Sequence, residues 1–388
     1  MGARYPHLIC ARVANLIYLV LLMRIAQIAP LIERVPPKKY GGTERVVSAL
    51  TEELVRRGND VTLFASGDSE TSAKLEFTHP AALREGGITP LQGLYQGNQH
   101  ILRLLGRAYA RADEFDIIHD HTGTLGLPFA EGSRTPVVMT LHGNIDRDSL
   151  PLYEEFRRPH QVAISGSLRA SVPSIVVADV IHNGLPMAHY PFSATPGNYL
   201  LYVGRICAEK GTHHAILAAK RLGLPLIIAA KLEKMERDQR YFRQYVKPHI
   251  GTDIRWVGEV DEAERNRLMA GAYCFLHPIT WAEPFGLTMI EAMATGTPVV
   301  AFGRGSVPEV VSDGISGFVV DTFDELLAAV RKVPTLDRAA VRAYAISHFD
   351  AERMTCGYEE LYHRIVFPIK NKITIISGLY FTPRFRFD

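Results

Sequence analysis

Glu283 and Glu291 stand eight positions apart in Trp281-Ala282-Glu283-Pro284-Phe285-Gly286-Leu287-Thr288-Met289-Ile290-Glu291. An apolar run, Tyr273 to His277, precedes them, and Ile290, Met293 and Ala294 follow at helical spacing until Gly296. The pattern predicts a buried strand, a turn carrying Glu283, and a helix carrying Glu291. Pro284 suits a first helical turn. The N–H groups of Phe285, Gly286 and Leu287 would then point out of a helix N-terminus, where anions and hydroxyls bind. At about 1.5 Å per residue the two carboxylates lie roughly 12 Å apart along the axis. That separation suits a long polar ligand with hydroxyls and phosphates, not a single small group. The bland alternative is two glutamates on a solvated helix face.

Two cations follow another predicted strand, Tyr199 to Gly204. Arg205 comes directly after it, and Lys210 stands in Glu209-Lys210-Gly211. Strand, loop, cation and helix is the layout of a diphosphate site, in which N–H donors and side-chain charge meet the same anion. Gly41 and Gly42 form a glycine loop before a helix expected from Thr43 to Arg57, where backbone can approach a phosphate or sugar closely. His119, His121 and His142 fall at predicted strand ends in the same half of the chain. Neighbouring histidines raise the thought of zinc, but no cysteine or glutamate accompanies them, and no metal site is expected.

These residues need a scaffold. Strands are expected at 24–29, 60–65, 116–119, 136–141 and 162–165, with helices between. Residues 66–97 are polar and glycine-rich and take no firm assignment. Pro186, Pro191, Pro196 and Gly197 read as a linker. The alternation then restarts, with strands at 199–204, 225–230, 254–258, 273–277, 298–302 and 318–320 and a last helix at 351–366. Strand–helix alternation means doubly wound parallel sheets. The expected organisation is α/β, with two Rossmann-like domains facing each other across a cleft. Their bounds are 23–190 and 197–348, with a terminal helix at 349–366. Ligands bind at the C-terminal ends of such strands.

The Glu-x7-Glu stretch, with Tyr202-Val203-Gly204-Arg205 and Glu209-Lys210-Gly211, resembles family 4 of the retaining glycosyltransferases, which have the GT-B architecture. The resemblance runs from about Met23 to about Val366 and is closer in the second half. It implies that the terminal helix crosses back to the first domain and that Arg205 and Lys210 hold the diphosphate of a nucleotide-sugar donor. It further implies that Glu291 holds the ribose and that Glu283, with the N–H groups after it, holds the hexose. The loop of Gly41 and Gly42 would lie over the donor, and His142, in Leu141-His142-Gly143, would sit beside the hexose. His119 and His121 would line the acceptor side. Two fixed cations can do a metal's work on the leaving group, and no Asp-x-Asp stands at a strand end, so no cofactor is expected. The opening Ala29-Pro30 and Tyr40 to Val47, with Ile228 to Lys231, resemble bacterial glucosyltransferases acting on small aromatic acceptors. Lys231 departs from the glycine that many members carry there.

The expected activity is therefore retaining transfer of a hexose, glucose above all, from UDP or a similar carrier to a small-molecule or glycan hydroxyl. An inverting transferase, a sugar-nucleotide epimerase of the same architecture, and a non-catalytic sugar-nucleotide binder are the alternatives. A net charge of +2 over 388 residues argues against nucleic-acid binding through overall basicity. Four cysteines lie far apart, with no CxxC, which fits a reducing cytoplasm. Residues 1–22 resemble a signal peptide's charged and apolar regions, but the apolar run is shorter than the roughly 20 residues of a membrane span. Arg24-Ile25 already opens a core strand, so the favoured reading is a start at Met23 with an upstream extension. Peripheral membrane contact through this leader is the minority reading. The basic and aromatic tail from 367 to 388 takes no assignment.

Overall fold

The computed structural model describes residues 9–13, 16–20, 22–39, 41–85 and 97–368. Residues 1–8, 14, 15 and 21 of the leader and 369–388 of the tail lie outside these residues. Within the leader, β1 (Ile9–Val13) and β2 (Leu16–Val20) pair as an antiparallel ribbon.

The first domain holds a seven-stranded parallel sheet. Its strands are β3 (Arg24–Ile28), β4 (Asp60–Ala65), β5 (Lys74–Phe77), β6 (Ile117–Asp120), β7 (Val137–Leu141), β8 (His160–Ala163) and β9 (Val177–Val180). They lie in the order β5-β4-β3-β6-β7-β8-β9. The second holds a six-stranded parallel sheet of β10 (Leu200–Arg205), β11 (Leu226–Lys231), β12 (Ile254–Gly258), β13 (Cys274–His277), β14 (Val299–Phe302) and β15 (Gly317–Val320). Its order is β12-β11-β10-β13-β14-β15. The order reverses at β3/β6 in one sheet and at β10/β13 in the other. These switch points are where doubly wound sheets open a crevice.

Central strands are buried on both faces, as parallel sheets require: all four residues of β13 and of β14 are buried. The edge strands β5 and β9 are half-exposed and have no apolar run. Sequence periodicity passes over both for that reason. It also passes over the Arg338–Phe349 helix, which packs against the Leu287–Ala294 helix.

The final helix, Ala351–Val366, packs on the Gly42–Arg56 helix of the first domain. At the crossing Ala351 N donates to Leu185 O at 2.9 Å, and Leu185 N donates to Phe349 O at 3.0 Å. Glu359 then accepts from Arg57 Nε at 2.7 Å and from Asn59 Nδ2 at 2.8 Å. The terminal helix thus ties the end of the chain to the first domain, as expected.

Candidate functional site

Between the two sheets lies a cavity of about 520 Å³, within the usual range for a small-molecule site. Gly41, Gly42, His142, Arg205, Lys210, Glu283, Phe285, Gly286, Leu287 and Glu291 all border it. The loops that carry them follow β3, β7, β10 and β13, and so cluster around the two switch points.

Glu283 is buried in the turn after β13. Lys210 Nζ donates to its Oε2 at 2.6 Å, and Trp281 Nε1 donates to the same oxygen at 2.9 Å. The ammonium also lies 4.7 Å from the centre of the Trp281 ring, a cation–π arrangement. Burial pushes the Glu283 carboxyl up, but Lys210, His277 and Trp281 together hold it below the usual carboxylate range. His277 Nε2 is 3.8 Å from Glu283. Burial takes this histidine down to about 4, against the pull of the carboxylate. The site therefore presents one fixed anion, one fixed cation and one neutral imidazole within a few ångströms.

The turn itself is clamped. Ser306 N donates to Glu283 O at 2.9 Å, Ser165 Oγ to Pro284 O at 2.7 Å, and Asn144 Nδ2 to Ala282 O at 2.7 Å. Gly305, at φ +63°, lies so close that a Cβ there would come within 2.3 Å of Glu283 backbone. The Gly303-Arg304-Gly305 stretch is thus a structural support for Glu283. The helix begins later than Pro284 suggests. It runs Leu287–Ala294, with Gly286 at φ 85° as its cap. The N–H groups of Phe285 and Gly286 belong to the preceding loop, because Gly286 must turn left-handed before the helix can start.

Glu291 lies on that helix and is 1% exposed. Arg45 donates to its carboxylate, Arg265 Nη2 lies 3.1 Å away, and Tyr190 Oη donates at 3.3 Å. The expectation of a carboxylate on a helix facing a ligand meets one already engaged by two arginines and a phenol. Arg45, from the first domain, keeps its charge: burial works against it, and Glu291 more than offsets that. Sequence reasoning missed Arg45, Arg265, His277 and Trp281. Trp281 adjoins the quoted stretch, but no spacing could show Arg45 meeting a partner 246 positions away.

His119 and His121 are placed differently from the acceptor-side expectation. They are 0% and 4% exposed and do not border the cavity. His119 bonds Tyr362 Oη at 2.6 Å and Thr140 Oγ1 at 2.7 Å, and so faces the terminal helix. His121 lies between Gln27 and His142, at 2.8 Å from each. Alternation along β6 puts both histidines on the sheet face that the terminal helix covers. Among the described residues no group of three or more His, Cys, Asp or Glu side chains is arranged to hold a metal ion.

Two family models match the chain: Glycosyltransferase Family 4 over residues 40–189 and Glycosyl transferases group 1 over residues 191–346. Glycogen synthase of Mycobacterium tuberculosis is 30% identical over 361 residues, covering 79% of this chain and 86% of that protein. The chain belongs to glycosyltransferase family 4. Another family relative, phosphatidyl-myo-inositol mannosyltransferase of Mycobacterium leprae, is 26% identical over 82% of this chain and 89% of its own. Among solved structures, sucrose-phosphate synthase from Thermosynechococcus elongatus superposes with a TM-score of 0.72 at 19% identity, over 88% and 98% of the two chains. Anabaena HepE in complex with UDP-glucose gives 0.67 at 20%, over 87% and 98%. These likenesses establish the two-domain GT-B fold. As a family 4 member the protein is an enzyme, a glycosyltransferase. No helix among its described residues is long and apolar enough to cross a membrane.

Proposed function

We propose that the protein is a retaining hexosyltransferase that moves glucose from UDP-glucose to a hydroxyl acceptor without a metal ion, in the cytoplasm. The observation that carries this reading is the contact of Lys210 with Glu283 on the wall of the interdomain cavity that Arg205 also borders. The anion suits hexose hydroxyls and the cations suit the diphosphate beside them. In the reaction the bond from the anomeric carbon to the β-phosphate oxygen breaks, and a bond to the acceptor oxygen forms. The acceptor hydroxyl gives up its proton to the departing β-phosphate oxygen. Negative charge grows on the departing diphosphate, which Arg205 and Lys210, both bordering the cavity, would stabilise.

Glu291 would take the ribose, sharing its carboxylate between those hydroxyls and the arginines now on it. His142 would face the hexose. The donor assignment draws on Anabaena HepE, solved with UDP-glucose. The acceptor belongs to first-domain loops, and fold does not fix it.

A thermal-shift screen with UDP, GDP and ADP, each in EDTA, tests the reading. A ligand that binds the folded state raises its apparent stability. UDP should raise the midpoint most, and as strongly in EDTA as in magnesium. No shift with any nucleotide, or a shift that needs magnesium, would overturn it.

A further inference from the structure

Gln27, His121 and His142 stand side by side at the C-terminal ends of β3, β6 and β7, which are neighbours in the sheet. Gln27 Oε1 lies 2.8 Å from His121 Nε2, and His121 Nδ1 lies 2.8 Å from His142 Nε2. An amide oxygen can only accept, so His121 carries its proton on Nε2. Its Nδ1 is then bare and must accept in turn, so His142 carries its proton on Nε2. The tautomer of a cleft histidine is therefore set two side chains away, inside the protein.

The other side of Gln27 is consistent with this orientation. Its Nε2 faces Tyr362 Oη at 3.5 Å. Tyr362 Oη is also 2.6 Å from His119 Nδ1, whose other nitrogen meets Thr140. Thr140 in turn meets Tyr358 at 2.8 Å. The tyrosine hydroxyl can give its proton to His119 and accept from the Gln27 amide. Donation then runs one way along the row, from His142 through His121 to Gln27 and on through Tyr362, His119 and Thr140 to Tyr358. Both tyrosines belong to the terminal helix, so the row is anchored by the element that crosses between domains. His142 is half-buried, borders the cavity, and makes no hydrogen bond through Nδ1 among the described residues.

We propose that Gln27 and His121 are positioning residues that lock His142 as its Nε2–H tautomer, so that it offers the cleft a proton-accepting Nδ1. Burial agrees with a neutral ring, holding His142 down to about 4. A bare nitrogen accepts from a hydroxyl and cannot donate to a phosphate, so its partner is a sugar or acceptor O–H. Only the identity of that partner rests on the transferase reading; the tautomer does not.

The test is nitrogen NMR of the full chain labelled with ¹⁵N-histidine, with His142 assigned by the signal lost in His142→Gln. No donor, acceptor or turnover is needed. The native spectrum should show His142 Nδ1 as an imine-type nitrogen and Nε2 as a protonated one. A proton on Nδ1, or on both nitrogens, overturns the proposal. Gln27→Leu removes the acceptor and should give His142 a mixture of tautomers. Its turnover should fall at least about tenfold, the loss of one hydrogen bond to the reacting complex, while UDP affinity stays within about twofold of the parent. Gln27→Glu keeps an acceptor oxygen and should restore the native spectrum. A Gln27→Leu protein with mixed tautomers and parental turnover would remove the positioning role. Where Gln27→Leu does not fold, the native spectrum alone decides the tautomer.

Discussion

Arg45, carried by the first domain, donates to the carboxylate of Glu291, carried by the second. Both residues border the interdomain cavity, and both are nearly out of solvent. Buried partners in one network couple strongly. In a double-mutant cycle of Arg45→Leu and Glu291→Leu, the double variant should be less destabilised than the sum of the singles, by about 1 kcal/mol or more. Chemical unfolding of the four proteins measures this. Additive losses would mean the contact carries no energy.

Glu283 and Glu291 should divide their work. A bond to the hexose can strengthen as charge develops, so Glu283→Gln should lower turnover and leave affinity for free UDP nearly unchanged. Glu291→Gln should weaken UDP binding. It should also lower stability by about 3–5 kcal/mol, because it leaves Arg45 and Arg265 buried without their counter-charge. UDP titration, turnover and unfolding of both variants separate the roles, and the reverse pattern would refute the assignment.

The surroundings of the two glutamates differ in how far they could be read from the chain. Strand–helix alternation and the spacing of Glu283 and Glu291 were legible because both are local. The positions of Arg205 and Lys210 beside the cleft were legible for the same reason. What surrounds Glu291 was not, because Arg45 and Tyr190 reach it from other elements through tertiary packing. His119 and His121 look like cleft residues by position at a strand end. Which face they take depends on the terminal helix covering them, and alternation alone does not name the covered face. Edge strands β5 and β9 lack the double burial that makes a parallel strand visible as an apolar run.

Arg205 and Lys210 should each matter to the diphosphate. Charge-assisted bonds contribute about 1.5–3 kcal/mol, so Arg205→Ala or Lys210→Ala should weaken UDP-sugar affinity or turnover by at least about tenfold. Steady-state kinetics of the two variants checks this. Normal turnover in Arg205→Ala would remove it from the site.

Glu44 brings a pH dependence. Its carboxyl borders the cavity, is 5% exposed, and is pushed up by burial to about 7. A carboxyl whose folded value exceeds its unfolded one favours folding fully below the unfolded value. That contribution is lost as pH rises through the folded value. Between about pH 4.5 and pH 7 the parent should therefore lose up to roughly 3 kcal/mol through this group. Glu44→Gln cannot ionise, so its stability relative to the parent should grow from pH 5 to pH 8. Unfolding of both proteins at the two pH values checks it; a constant gap would show that Glu44 ionises normally.

Retaining, metal-free transfer from a nucleotide sugar fixes which anomer is released first. Proton NMR of the enzyme with UDP-α-glucose in EDTA tests it most directly, with water as the acceptor, following the first glucose released. The α-anomer should appear first, with UDP, and Lys210→Ala should slow its release at least about tenfold. First release of the β-anomer would contradict retention, and no release until magnesium is added would contradict the metal-free site.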